Sequence, residues 1–159
     1  MCTGTGSALS LESLKAARTK FLKAKDSDGQ PVNVEPRYLF VPSELDALAR
    51  ELVYSATVTG GSVATPVLNV LSRYNIEVVS SALLSSDAYA GSSSTAWYLF
   101  GDPSMVDTFE IGYLQGRRVP TVEQGAVDFN QLGIGFRVVF DIGVREQAYQ
   151  GIVKSTGVA

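Results

Sequence analysis

Five runs rich in aromatic and β-branched residues follow one another through the last third of the chain, at residues 97–100, 108–114, 127–129, 134–142 and 148–153, separated by Gly and Pro breaks. Side chains that are branched at Cβ or carry rings lose freedom in a helix but pack well on a pleated surface. Runs of this composition and spacing therefore predict antiparallel strands. The first half reads differently. Ser10 is a predicted N-cap, and Leu11, Leu14, Ala17, Phe21 and Ala24 recur near helical spacing until the turn cluster Asp26, Ser27, Asp28, Gly29, which predicts a helix over residues 11–25. A second helix is predicted after Ser43, with Asp46 at the capping-box position and Leu45, Leu48, Ala49, Leu52 and Val53 on one face. Between the helices, residues 37–41 read as a buried strand, and residues 67–71 and 76–84 are further strand candidates. Two stretches of small residues, 55–66 and 85–95, read as flexible loops.

A chain of 159 residues is long enough to take about 70% of its unfolded surface out of water, so one domain needs neither metal nor disulfide. Only 18% of the residues are charged, against roughly 25% in an ordinary soluble domain. Surplus apolar surface of this kind suggests a partner. The uncharged stretch 54–71 is broken by Gly60, Gly61 and Pro66, so it does not read as a membrane helix. Residues 1–10 have neither the basic start nor the apolar run of a secretory signal, so the expected setting is the cytoplasm. Cys2 is the single cysteine and excludes an internal disulfide. A net charge of −3 argues against a domain built mainly to coat nucleic acid.

The chain contains no histidine. That removes Ser-His-Asp triads, Cys-His pairs and histidine-ligated metal sites together. Asp26 and Asp28 before Gly29 have the opening of a calcium loop, but Pro31 and Arg37 stand where that loop needs Gly and Glu. Gly4-Thr5-Gly6 and Gly133-Ile134-Gly135 lack the third glycine and the strand-to-helix setting of a dinucleotide loop. Paired carboxylates for acid–base work are available only as Glu110 with Glu123 or Asp128 with Asp141, at spacings that specify nothing. Asp141 interrupts an apolar run, and the expectation for it is a structural ion pair with Arg137 or Arg145 rather than catalysis. No catalytic, cofactor-binding or metal-binding residue is therefore assigned. The one charged feature is a set of bases on the first helix, Lys15, Arg18, Lys20, Lys23 and Lys25, which reads first as a solvated face and second as a stripe that makes weak contact with DNA or meets an acidic neighbour.

Read in order, the segments GTGSALSLESLKAARTKFLKAKDSDGQPVNVEPRYLFVPSELDALARELV, WYLFGDP, DTFEIGYLQGRRVPTVE and GFRVVFDIGVREQAYQGIVKSTG resemble the C-terminal part of phage and prophage major capsid proteins. The resemblance is to the Mu-like head subunits and to capsid subunits fused to a prohead protease. It implies an α+β HK97-like capsid fold, in which a spine helix and long antiparallel strands form a P-domain and a mixed α/β A-domain lies toward the capsomer axis. Residues 10–30 and 107–153 would then be P-domain-like and residues 37–104 A-domain-like, with the N-terminal arm and E-loop lacking. The implied role is non-enzymatic: a subunit whose chief partner is itself, in pentamers and hexamers of the head shell, with other head proteins as further partners. Two other readings remain open here, a protease-associated hydrolase and a connector-type binding module.

Overall fold

A computed structural model describes residues 7–58, 67–125 and 133–158. Along the chain these form α1 (Leu11–Leu22), β1 (Pro36–Val41), α2 (Asp46–Tyr54), β2 (Thr57–Val58), β3 (Val67–Leu68), β4 (Glu77–Ser80), β5 (Trp97–Gly101), β6 (Phe109–Tyr113), β7 (Thr121–Gln124), β8 (Phe136–Val139), β9 (Ile142–Glu146) and β10 (Ile152–Ser155). The fold is α+β. It divides into two compact units, one of residues up to Thr108 joined by the segment from Ala148 onward, the other Phe109–Gln147.

The first unit is organised by a sheet in the order β10-β5-β1-β4, antiparallel except for the β1–β4 pair. Its register places Val153, Leu99, Leu39 and Val78 in one row across all four strands, and each of the four is buried. The buried stripes of both helices, Leu14, Ala17 and Phe21 from α1 and Ala49 and Val53 from α2, join that row in a single core. The opposite face of the sheet carries Tyr38, Phe40, Tyr98 and Phe100, all half-buried, with Phe40 and Phe100 meeting edge to face at 6.1 Å. Alternation along the strands thus separates a covered aliphatic face from a partly open aromatic one.

Ser10 caps α1 as its sequence predicts, within a reciprocal pair: its hydroxyl accepts from Ser13 N–H and the Ser13 hydroxyl accepts from Ser10 N–H. The helix stops at Leu22, shorter than the spacing predicts. Ala24 N–H bonds to the Phe21 carbonyl, and the chain turns back through Gly29 (φ 78°) so that Lys25 pairs with Pro31. Ser43 does not cap α2. It lies in a 3₁₀ turn, Ser43–Leu45, that leads into the helix, and Asp46 is engaged by Arg50 one turn on, at 3.0 Å. That pairing holds the Asp46 carboxyl below the usual carboxylate range.

The strand candidates are trimmed in the same way. Residues 67–71 supply only the two-residue β3 before the 3₁₀ turn Leu71–Arg73, and residues 76–84 supply β4 before the turn Ala82–Leu84. The run 134–142 is two strands with a break at Phe140 and Asp141, and 148–153 becomes a turn, Tyr149–Gly151, leading into β10. Residues 85–95 are threaded by backbone bonds such as Ser93 N–H to the Leu84 carbonyl at 2.7 Å. The predicted strand 127–129, Cys2, the Gly4-Thr5-Gly6 run and most of the 55–66 loop lie outside the described residues.

One buried polar side chain joins α2 to its surroundings. Asn69, 1% exposed, donates to the carbonyls of Leu52 and Ser55 at 2.8 and 2.9 Å and accepts from Leu71 N–H at 3.0 Å. It caps carbonyls at the end of α2 that have no partner within the helix. Replacing Asn69 by Ala should cost about 3 kcal/mol, because buried carbonyls and an N–H lose their partners. Asn69→Asp should be no milder, since a carboxylate cannot donate to the carbonyls; urea unfolding of both variants checks this.

Candidate functional site

The unit Phe109–Gln147 is an antiparallel ribbon made of two ladders, β6 with β9 and β7 with β8. Directly opposed residues in such a ladder share a face. In the first ladder this sets Phe109, Ile111 and Tyr113 beside Glu146, Val144 and Ile142, and leaves Glu110, Arg145, Gly112 and Gly143 on the reverse. In the second it sets Val122 and Gln124 beside Val138 and Phe136, and leaves Thr121, Glu123, Val139 and Arg137 on the reverse. Each ladder therefore has one largely apolar face and one polar face. The apolar faces are open: Phe136, Val138 and Val144 are 67%, 64% and 65% exposed, and Phe109, Ile111, Val122 and Ile142 are exposed as well.

Between the ladders the two arms are unequal. Residues 114–120 face only Phe140 and Asp141, and the surplus chain is thrown out through Gln115 (φ 55°) and Gly116 (φ 71°). Leu114 N–H still reaches the Asp141 carbonyl, and the Tyr113 and Phe140 rings meet at 6.2 Å. The excursion bounds a cleft of about 320 Å³ whose walls include Arg117, Glu123, Arg137 and Asp141.

The carboxylates singled out in the sequence have structural roles or none. Glu123 is salt-bridged by Arg137. Glu110 takes a hydrogen bond from the Gln147 amide and stands opposite Arg145. Asp141 is exposed, and Arg137 is committed to Glu123, so the expected ion pair with Arg137 does not form. Nor is one seen with Arg145 among the described residues. An exposed carboxylate keeps its water and needs no cation, which the apolar sequence around Asp141 concealed. Asp128 lies outside the described residues. Asp26 spends one oxygen on Ser27 N–H at 2.7 Å.

The basic residues of α1 do not form one stripe. Lys15, Lys20, Lys23 and Lys25 are exposed, but Lys23 and Lys25 lie past the helix end at Leu22, and at about 100° per residue Lys15 and Lys20 are about 140° apart around the axis. Lys15 is paired with Glu12 at 3.3 Å, and the Arg18 guanidinium lies 3.9 Å from the Tyr74 ring centre. Among the described residues no helix is long and apolar enough to cross a membrane.

The feature that sequence reading missed is the one-sided character of the ribbon. Its signal was the alternation Phe109-Glu110-Ile111-Gly112-Tyr113, a period of two that marks one face for covering. An open two-stranded ribbon is marginal alone in water, and an uncovered apolar face of this kind marks a contact surface. The chain as a whole matches the family model described as phage capsid protein over residues 3–155. It belongs to that phage capsid protein family. No curated protein and no solved structure gives a significant match. Family membership gives this capsid protein a structural role in the phage head and places it in the virion.

Proposed function

We propose that this capsid protein is a non-enzymatic shell subunit of the HK97-like kind, related to the Mu-like and protease-fused head subunits, whose copies associate into pentamers and hexamers. The observation that carries this reading is the ribbon with one apolar face on each ladder left uncovered. A surface that is repeated on every copy and stable only when covered drives association, and many such contacts sum to a shell although each is weak. In the proposed assignment α1 belongs to the spine helix, residues 10–30 and 107–153 form the P-domain-like part, and residues 37–104 form the A-domain-like part. The order of elements supports it: a capped helix, a mixed sheet with its own helix, and then antiparallel strands. Before assembly the subunit resides in the bacterial cytoplasm, with itself as main partner and other head proteins next. The exposed Lys15, Lys20, Lys23 and Lys25, with Arg18, would supply at most weak contacts to packaged DNA.

Native mass spectrometry and electron microscopy of the purified chain test the reading. Rings of five or six copies, or closed shells, are the expected products as concentration rises. A chain that stays monomeric at every concentration and salt would sink it.

A further inference from the structure

In the first unit a cleft of about 380 Å³ is bounded by Arg18, Glu35, Arg37, Arg73, Tyr74 and Asp102. Three guanidiniums against two carboxylates leave one positive charge over. Among the described residues none of the three arginines is in an ion pair. The near carboxylate, Asp102, is satisfied locally: it accepts from the Ser104 hydroxyl at 2.6 Å and from Ser104 N–H at 2.9 Å. Those bonds, with a smaller contribution from the Arg37 charge, hold the Asp102 carboxyl below its ordinary range. Arg37 spends one donor on the Asn75 carbonyl at 3.2 Å. Arg18 lies against the Tyr74 ring, an arrangement that fixes its plane and leaves the N–H edge free to bond. Arg18 and Arg37 are both half-buried, so water reaches them less freely than it reaches the lysines of α1.

We infer that this cleft receives a single carboxylate side chain, and that the carboxylate is supplied by a second copy of this chain. The surplus of one charge suits a monoanion, whereas a phosphate dianion would be set against Glu35 and Asp102. Arginine forks match the planar carboxylate with two parallel bonds. A second copy has such groups to offer: the chain carries 16 acidic against 13 basic residues, and Glu44, Glu51, Glu77 and Asp87 are exposed with no ion pair among the described residues. Receptor and donor lie at different places on the same chain, so the contact is head to tail, the type that closes into rings. Arg and Tyr are also the residues that most often anchor protein interfaces. The inference rests on the shell-subunit reading for its donor, but not for its receptor.

The test has two arms. Arg73 is exposed at the cleft, so Arg73→Glu should leave the melting temperature unchanged while raising the concentration for half-association by about tenfold in sedimentation velocity. In the second arm, sodium acetate is titrated into ¹⁵N-labelled protein at constant ionic strength and the arginine Nε–H signals are followed. Saturable shifts at Arg18 and Arg73 of the wild type, not exceeded by inorganic phosphate, are expected, with the Arg18 shift lost in Arg73→Glu. Association unaffected by Arg73→Glu, or acetate without effect, overturns the inference, and preference for phosphate overturns the carboxylate assignment. If wild-type protein never associates, the shell reading falls and takes the second copy with it, yet the acetate arm still decides what the cleft binds.

Discussion

Aspartates in place of Val138 and Val144 should abolish association of this capsid protein while leaving its far-ultraviolet circular dichroism and melting temperature close to those of the wild type. Both valines point from the apolar faces of the ribbon, and both are about two-thirds exposed in the single chain, so little core packing is lost. On the proposed reading the same positions are covered in the assembled shell. Each substitution then forfeits the burial of a valine side chain and sets a charge against an apolar surface, which costs about 2 kcal/mol per site. Together the two should raise the concentration needed for association roughly a thousandfold. The pleat supplies the control. Arg145 is adjacent to Val144 in sequence but on the reverse face, opposite Glu110, so Arg145→Gln should change association by less than about twofold. Sedimentation velocity on the double aspartate variant and on Arg145→Gln reads both results. If Arg145→Gln is as damaging as the double aspartate variant, the alternation argument is wrong.

The elements that were legible in the sequence are those in which local and tertiary forces agree. Ser10 before the stripe Leu14, Ala17, Phe21 gave a cap, a start and a buried face, and α1 has all three. The strand at residues 37–41 was legible because an apolar run after Pro36 has one arrangement that covers it, the centre of a sheet. Where the prediction departed from the structure, either a competing local turn or the pairing of distant segments decided. Ser43 would cap a helix, but a 3₁₀ turn and the Asp46–Arg50 pair start α2 three residues later. The run 134–142 looks continuous because its apolar residues are, whereas the break at Phe140 and Asp141 is imposed by surplus chain on the other arm. Nothing in the sequence of one strand records the length of its partner's excursion.

The candidate site was legible in part, for a related reason. That the chain would need a partner followed from its low charge, and where the partner would sit did not. The runs at residues 108–114 and 134–142 had been read as strands by composition, which does not say whether the apolar face is covered within the chain. The pairing of β6 with β9 and of β7 with β8, with no third strand in either ladder among the described residues, is what reveals the exposed apolar faces. The arginine cleft was less visible still. Arg18, Arg37 and Arg73 come from the first helix, the first strand and a 3₁₀ turn, and no spacing in the sequence joins them.

Trp97→Ala should remove most of the stability of the unit that carries the sheet. The side chain is fully buried in the core, beside the row Val153, Leu99, Leu39, Val78, and its truncation leaves a cavity that costs about 3–5 kcal/mol. It also carries a polar duty. The indole N–H donates to the Ser7 carbonyl at 3.1 Å, and the Ser155 hydroxyl donates to the same oxygen at 2.8 Å. Ser7 is tied in turn to Val158, by N–H to carbonyl at 3.0 Å and by hydroxyl from Val158 N–H at 2.8 Å. The ring thus holds the segment before α1 against the segment after β10, and Trp97→Ala should loosen both. Trp97→Phe separates the contributions: it keeps most of the apolar volume and loses the donor, so it should cost about 1–2 kcal/mol beyond the small change in packing. Since a domain of this size is stable by about 5–15 kcal/mol in all, the alanine variant should unfold at markedly lower urea and temperature than the phenylalanine variant. Trp97 is the only tryptophan in the chain, so both variants lose the natural fluorescent probe and circular dichroism is the measurement to use. Hydrogen exchange at Val158 N–H adds the local readout: it should quicken in both variants, and more in Trp97→Ala. Equal stability of the two variants would show that the buried volume of the ring contributes little, contrary to its place in the core.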